Sequence, residues 1–218
     1  MIQNHNENQH KRKTHILVLG LEGVGKTLMI KRLKQISLQK KDNDQLQEMD
    51  FETNPTTGFD TNTLKIDNQE YFINEVGSAM ISNWHKFIHD SQSIIYIVDV
   101  QNQSQMSQSM MEFELVFNVL LEETQNIKPI LLIFNKWDNR RDFIDKQFIE
   151  SFFNLSDYLD QYPNLNVIYG SALSGMNSLD MYSWVQNVLT GKYKAMVDLD
   201  ENFNAKIQKK KTTCGCLF

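Results

Sequence analysis

The chemistry-bearing stretch of the chain is Gly20-Leu21-Glu22-Gly23-Val24-Gly25-Lys26-Thr27, which has the spacing G-x-x-x-x-G-K-[ST]. That spacing suits a phosphate group. Glycines let the backbone wrap closely around an anion, and the N–H groups at a following helix start point at it. A lysine at the seventh place reaches the β- and γ-phosphates as a point charge, and the hydroxyl after it is a hard-oxygen ligand for Mg²⁺. Lys26 and Thr27 are therefore the first candidate site residues. Glu22, Gly23, Val24, Gly25 and Leu28 complete the wall around the phosphates.

Two shorter runs, Asn135-Lys136-Trp137-Asp138 and Gly170-Ser171-Ala172-Leu173, would each read equally well as a plain loop if met alone. Both follow an apolar run, and both come after the phosphate stretch. A carboxylate such as Asp138 can accept the N1 and 2-amino N–H groups of guanine together. Adenine offers no matching donor pair, and charge-assisted bonds left unmade give strong discrimination.

These residues need elements to hold them. His15-Ile16-Leu17-Val18-Leu19 is apolar enough for a buried strand, and Leu28, Ile30, Leu33 and Ile36 follow at helical spacing. Lys40 to Asn54 is charged and reads as a long loop. Asp60 to Ile66 and Glu70 to Val76 alternate around Asp67-Asn68-Gln69, which predicts a β-hairpin. Ser93 to Asp99 and Pro129 to Phe134 are nearly continuous apolar runs, suited to central strands covered on both faces, and Asn166 to Tyr169 is a shorter one. Met106 to Leu121, Asp145 to Leu159 and Leu179 to Leu189 carry helical spacing. The alternation predicts an α/β fold: a six-stranded, mostly parallel sheet with one antiparallel hairpin strand and helices on both faces. Ligands then bind at the carboxyl ends of the strands, where the phosphate stretch lies.

The composition narrows the classes. The 218 residues suffice for one α/β domain with tails, and 41% hydrophobic content allows a full core. A net charge of -5 gives no global attraction to nucleic acid. No apolar run reaches the roughly eighteen residues of a membrane-spanning helix. The first residues lack the apolar core of a signal peptide. The two cysteines, Cys214 and Cys216, exclude a disulfide-built fold and suit a reducing cytosol, so a cytoplasmic location is expected. Residues 1–13 form a polar tail, in which His5 and His10 read more simply as solvated than as metal ligands. Residues 14–195 are the expected domain. Residues 196–218 form a basic tail expected to be flexible, with Lys206, Lys209, Lys210 and Lys211.

With Pro55-Thr56-Thr57-Gly58-Phe59 added to these motifs, the chain resembles the small GTPases, and more closely the ADP-ribosylation factor-like branch, over roughly residues 14–190. A narrower likeness within that branch is carried by Gly23 to Leu28, Lys31-Arg32-Leu33, Glu75-Val76-Gly77 and Trp84. The resemblance implies GTP or GDP with Mg²⁺ as cofactors. It implies that Thr56 closes onto Mg²⁺ and the γ-phosphate, that Thr27 and Thr56 hold the metal, and that Glu75 meets it through water. Gly77 and Ser78 then belong to the second switch, facing the γ-phosphate. Asn135 and the Ala172 backbone support the base, the Lys136 stem packs beside it, and Ser171 and Leu173 complete the base loop. It further implies a monomeric nucleotide switch that recruits an effector protein through the switch regions, in membrane or ciliary trafficking. Phe59 and Trp84 are candidate effector contacts, though each is as readily a packing residue.

The second switch departs from the family's pattern. A typical member reads Asp-x-Gly-Gly-Gln where this chain has Glu75-Val76-Gly77-Ser78-Ala79. A methyl group at Ala79 cannot orient a water, and phosphoryl transfer depends on such positioning. No arginine lies between Lys34 and Asn139 to supply charge in cis. The expectation is a GTP-binding protein with slow or absent intrinsic hydrolysis and no confident catalytic residue. The alternatives are an active GTPase whose water is positioned by another residue or a partner, and a different phosphate-loop enzyme that uses ATP. Ile2 closes the route of glycine myristoylation, and Gly215 occupies the place where a C-a-a-X box needs cysteine. Cys214 and Cys216 beside the lysine run remain candidate lipidation sites for peripheral membrane contact.

Overall fold

The computed structural model of the chain describes residues 14–39, 52–123 and 127–194. Six strands form one sheet: β1 Thr14–Leu19, β2 Phe59–Ile66, β3 Gln69–Val76, β4 Ser91–Asp99, β5 Ile130–Asn135 and β6 Leu165–Tyr169. Their spatial order is β2-β3-β1-β4-β5-β6, with β2 and β3 antiparallel and every other pair parallel. The helices are α1 Lys26–Gln39, α2 Trp84–Asp90, α3 Gln103–Glu122, α4 Lys146–Phe152, α5 Leu155–Gln161 and α6 Ser178–Leu189. The polar tail 1–13, most of the expected loop after α1 and the tail with Cys214 and Cys216 lie outside the described residues.

The apolar runs explain the layering. Alternate residues of one strand face opposite sides of a sheet, so a strand covered on both faces must be apolar throughout. In β1, β4 and β5, Leu17, Leu19, Tyr96, Val98, Leu132 and Phe134 turn to one core, packed under α2, α3, α4 and α5. Ile16, Val18, Ile95, Ile97, Leu131 and Ile133 turn to the other, under α1 and α6. Each such side chain, fully buried, contributes on the order of 1.5–3 kcal/mol before entropy is counted. Register then aligns the strand ends. Val18 lies opposite Glu75, Leu19 opposite Tyr96, and Asp99 opposite Asn135. The polar residues that close the apolar runs are thereby gathered along one edge.

The hairpin turns on Asp67 and Asn68, both left-handed with φ 49° and 66°. Two such residues make the turn whose twist matches paired strands. A β-branched residue resists this conformation, so Asn68→Val should destabilise the domain by about 1–2 kcal/mol in chemical denaturation.

Two local features differ from the sequence expectation. The segment after β3, given no element in the reading above, forms a 3-10 turn Ser78–Asn83 that runs into α2. The expected single helix from Asp145 to Leu159 is instead two, because Asn154 takes a left-handed conformation with φ 49°. Phe153 and Leu155 are both buried in the same core. On one continuous helix these positions would lie about 200° apart, so the break is what lets both face the sheet.

Candidate functional site

The phosphate stretch spans the gap between β1 and α1. Gly20, Gly23 and Gly25 all have positive φ, of 142°, 73° and 95°. A Cβ on Gly20 would strike the Ile97 carbonyl, so the loop can lie this close to β4 only with glycine there. The first helical bond of α1 runs from Met29 N–H to the Gly25 carbonyl at 2.9 Å. The N–H groups of Lys26, Thr27 and Leu28 therefore have no helical acceptor and stand at the positive end of the helix dipole.

A cavity of about 180 Å³ opens in front of them, lined by Glu22, Gly23, Gly25, Lys26, Thr27, residues 53–56, Glu75 and Ser78. Lys26 is buried, and its ammonium donates to the carbonyls of Gly20 and Leu21 at 3.0 and 2.9 Å. Burial pushes its pKa down, while the carboxylates of Glu75 and Glu22 pull it back up. On the far wall Glu75, 1% exposed, receives bonds from the Thr27 hydroxyl at 2.8 and 2.9 Å and from the Thr56 hydroxyl at 2.9 Å. The three expected metal-side residues are thus in direct contact. Their donor atoms are all hard oxygens, which suits Mg²⁺ rather than a softer metal. Among the described residues no cluster of three His, Cys, Asp or Glu offers a separate metal site.

Not every expected residue turns its side chain to this cavity. Val24 is fully buried, and the Leu28 side chain packs against the core of α1 and α6. Gly77 spends its N–H on the Gly58 carbonyl at 2.7 Å, joining the end of β3 to the segment before β2, and leaves Ser78 as the residue of that pair lining the cavity. Ala79 is exposed at the start of the 3-10 turn and is not part of the lining. Of the two readings of Trp84, the structure favours packing: it is only 3% exposed and packs edge-on against Tyr96 in the core. Phe59 is 44% exposed and stacks on Phe87 at 5.1 Å, forming an aromatic pair beside the switches.

The second half of the site is tied to the first by two side chains at the end of β5. Asn135 donates from Nδ2 to the Val24 carbonyl at 2.7 Å and accepts at Oδ1 from Ala172 N–H at 2.9 Å. Lys136, left-handed with φ 61°, donates from Nζ to the Gly23 carbonyl at 2.9 Å and to Asp99 Oδ2 at 2.6 Å. The turn continues through Trp137, whose N–H bonds the Gly170 carbonyl at 3.0 Å, to Asp138. The Asp138 carboxylate is exposed and makes no hydrogen bond or ion pair among the described residues. Ser171 is buried and braces its own loop, accepting from Ser174 N–H at 3.1 Å, while Leu173 is 53% exposed.

Two supporting residues escape sequence reasoning. Arg32 of α1 donates to the carbonyls of Ala172 and Leu173 at 3.0 and 2.5 Å, holding the base-side loop from behind. Lys31-Arg32-Leu33 marks the residue as part of the likeness but not its role, because its partners are backbone atoms far along the chain. Asp99, 6% exposed, orients Lys136. A carboxylate closing an apolar central strand, at the edge where ligands bind, was a readable signal.

Comparison with known proteins agrees with this arrangement. The profile of the ADP-ribosylation factor family matches residues 2–189. ADP-ribosylation factor-like protein alp41 of Schizosaccharomyces pombe is 26% identical, over 82% of this chain and 88% of that protein. ADP-ribosylation factor-like protein 3 of Saccharomyces cerevisiae is 29% identical over 80% and 85%. Human ADP-ribosylation factor-like protein 16 is 26% identical over 78% and 83%. Among solved structures, the Arl6 BBS3 small GTPase of Trypanosoma brucei, determined with the nucleotide analogue GppNp, superposes with a TM-score of 0.64 at 15% identity. It covers 83% of this chain and 99% of that one, and shows the same fold.

Proposed function

This chain belongs to the ADP-ribosylation factor family of small GTP-binding proteins, and on that premise we propose a nucleotide switch that holds GTP with Mg²⁺ and cleaves it slowly or not at all unaided. In this reading the free N–H groups of residues 26–28 and the Lys26 ammonium take the β- and γ-phosphates. Thr27, Thr56 and Glu75 form the Mg²⁺ side, where the ion neutralises phosphate charge. Asp138 reads guanine, with Asn135, Lys136, Ser171, Ala172 and Leu173 shaping the base site. GTP orders the segments around Thr56 and Gly77, and the surface they form, with the Phe59–Phe87 pair at its edge, recruits an effector protein.

The observation that carries the slow hydrolysis is the make-up of the phosphate cavity. Binding groups line it in full, but the position of the family's water-orienting glutamine is Ala79, an exposed methyl outside the lining. Single-turnover cleavage of bound GTP with Mg²⁺ should run below about 10⁻⁴ s⁻¹, and Ala79→Gln should raise it about tenfold. A wild-type rate of about 5 × 10⁻⁴ s⁻¹ or more would show an active GTPase that positions its water by other means. A role in membrane or ciliary trafficking, at a membrane surface reached through the basic tail with Cys214 and Cys216, belongs to the same proposal. It is supported by family membership and the sequence of that tail.

A further inference from the structure

We propose that Arg32 is a positioning residue for the base: from helix α1 it holds the loop after β6 in the shape that retains a guanine, and so sets how long the nucleotide stays bound. The role rests on the reading of Asp138 and this loop as the base site. It is carried by the guanidinium, each of whose three nitrogens has an acceptor. Nε donates to the Ala172 carbonyl at 3.0 Å, Nη2 to the Leu173 carbonyl at 2.5 Å, and Nη1 to Gln35 Oε1 at 2.9 Å. One edge of a planar fork thus meets two successive carbonyls, while Gln35 fixes the other end. Gly175, left-handed with φ 81°, brings the loop back past the same group, where a Cβ would stand 3.6 Å from Arg32 Cζ.

Apolar packing gives this loop little hold. From Ser171 to Asn177 only Ser171 and Ala172 are buried. Several of its bonds are internal: the N–H groups of Ser174 and Gly175 go to Ser171, and the Ser171 N–H goes to the Met176 carbonyl. These shape the loop without tying it to the phosphate side. Among the described residues, the bonds that reach residues 171–174 from other elements come from Asn135 and Arg32. Asn135 takes the Ala172 N–H and Arg32 its carbonyl, so that residue is gripped at both ends. Arg32 lies on the same helix as Lys26, and Ile30, Leu33 and Ile36 seat that helix in the core. The loop beside the base is therefore fixed to the rigid element whose start faces the phosphate cavity.

Chase of a fluorescent GDP from the full chain by excess unlabelled GDP, with Mg²⁺ present, tests this. Arg32→Ala should release the nucleotide about tenfold faster or more, because two charge-assisted bonds to the loop are lost. Arg32→Lys, a point charge that cannot span both carbonyls, should fall between that variant and the wild type, and it decides the matter alone if the alanine variant does not fold. Unchanged release would overturn the proposal. Guanine presents a carbonyl where adenine presents an amino group, so backbone donors of a well-placed loop match only the first. The preference for GDP over ADP, measured by competition, should therefore shrink by about the same factor. Equal losses of affinity for GDP and ADP, or a lower thermal midpoint with the preference intact, would show a structural brace only and overturn the positioning role. A wild type that does not prefer GDP to ADP would instead remove the base-site reading, and the role of Arg32 with it.

Discussion

Asp138→Ala should lower GTP affinity by about 10²–10⁴-fold while moving the thermal midpoint of the domain by no more than about 2 °C. The carboxylate is exposed and without a partner among the described residues, so its removal leaves nothing unpaired inside the protein. The turn that carries it is held by other groups. Trp137 is buried, its N–H is bonded to the Gly170 carbonyl, and the Arg140 guanidinium lies 4.6 Å from its ring centre while bonding the Trp137 carbonyl at 2.9 Å. What is lost is a pair of charge-assisted bonds to the guanine N1 and 2-amino groups. At about 1.5–3 kcal/mol each these account for the stated range. ATP makes no such pair, so its weak competition should be unchanged and the preference for GTP should shrink by the same factor. Titration of a fluorescent GDP against both nucleotides measures this, and a loss of less than tenfold would remove Asp138 from base recognition.

The parts of this molecule that could be read from sequence are those in which one short stretch fixes both the chemistry and its local geometry. The phosphate loop is such a stretch, because glycine spacing, lysine and hydroxyl all act within eight residues. The buried strands are another, since Ser93 to Asp99 and Pro129 to Phe134 are apolar on both faces and end in Asp99 and Asn135, the polar residues that the register sets side by side. What was not legible depends on contacts distant in sequence. In the turn and short helix from Ser78 to Asp90, Trp84 is buried against Tyr96 of β4, a contact that its own neighbours in sequence do not announce. The break at Asn154 follows from a core that accepts both Phe153 and Leu155, which helical spacing alone would place on opposite faces. Arg32 became a brace through carbonyls 140 and 141 positions away. The contacts of Glu75 with the Thr27 and Thr56 hydroxyls likewise emerge only with the register of β3 on β1.

The tightest coupling in the site runs between Gly25 and Asn135, and both positions should prove costly to alter. A Cβ on Gly25 would lie 2.5 Å from Asn135 Nδ2, at a φ of 95° that disfavours any side chain. Asn135 in turn joins the Val24 carbonyl to the Ala172 N–H, all in buried surroundings. Asn135→Ala leaves that carbonyl and that N–H unpaired, for a loss of about 2–4 kcal/mol in stability and a fall in GTP affinity of about 10²-fold or more. Gly25→Ala should reach a similar loss by another route, adding about 1–2 kcal/mol of backbone strain to the displacement of the asparagine. Combined, the two should cost less than their sum by about 1–3 kcal/mol, because a protein lacking the Asn135 amide has nothing for the new methyl to displace, while the strain at residue 25 remains. Chemical denaturation and nucleotide titration of the four proteins measure the difference. Strict additivity would mean that the phosphate loop and the base loop are positioned separately. A shortfall of the stated size would mean that one amide sets both, so that phosphate and base are held in a single fixed relation before either is bound.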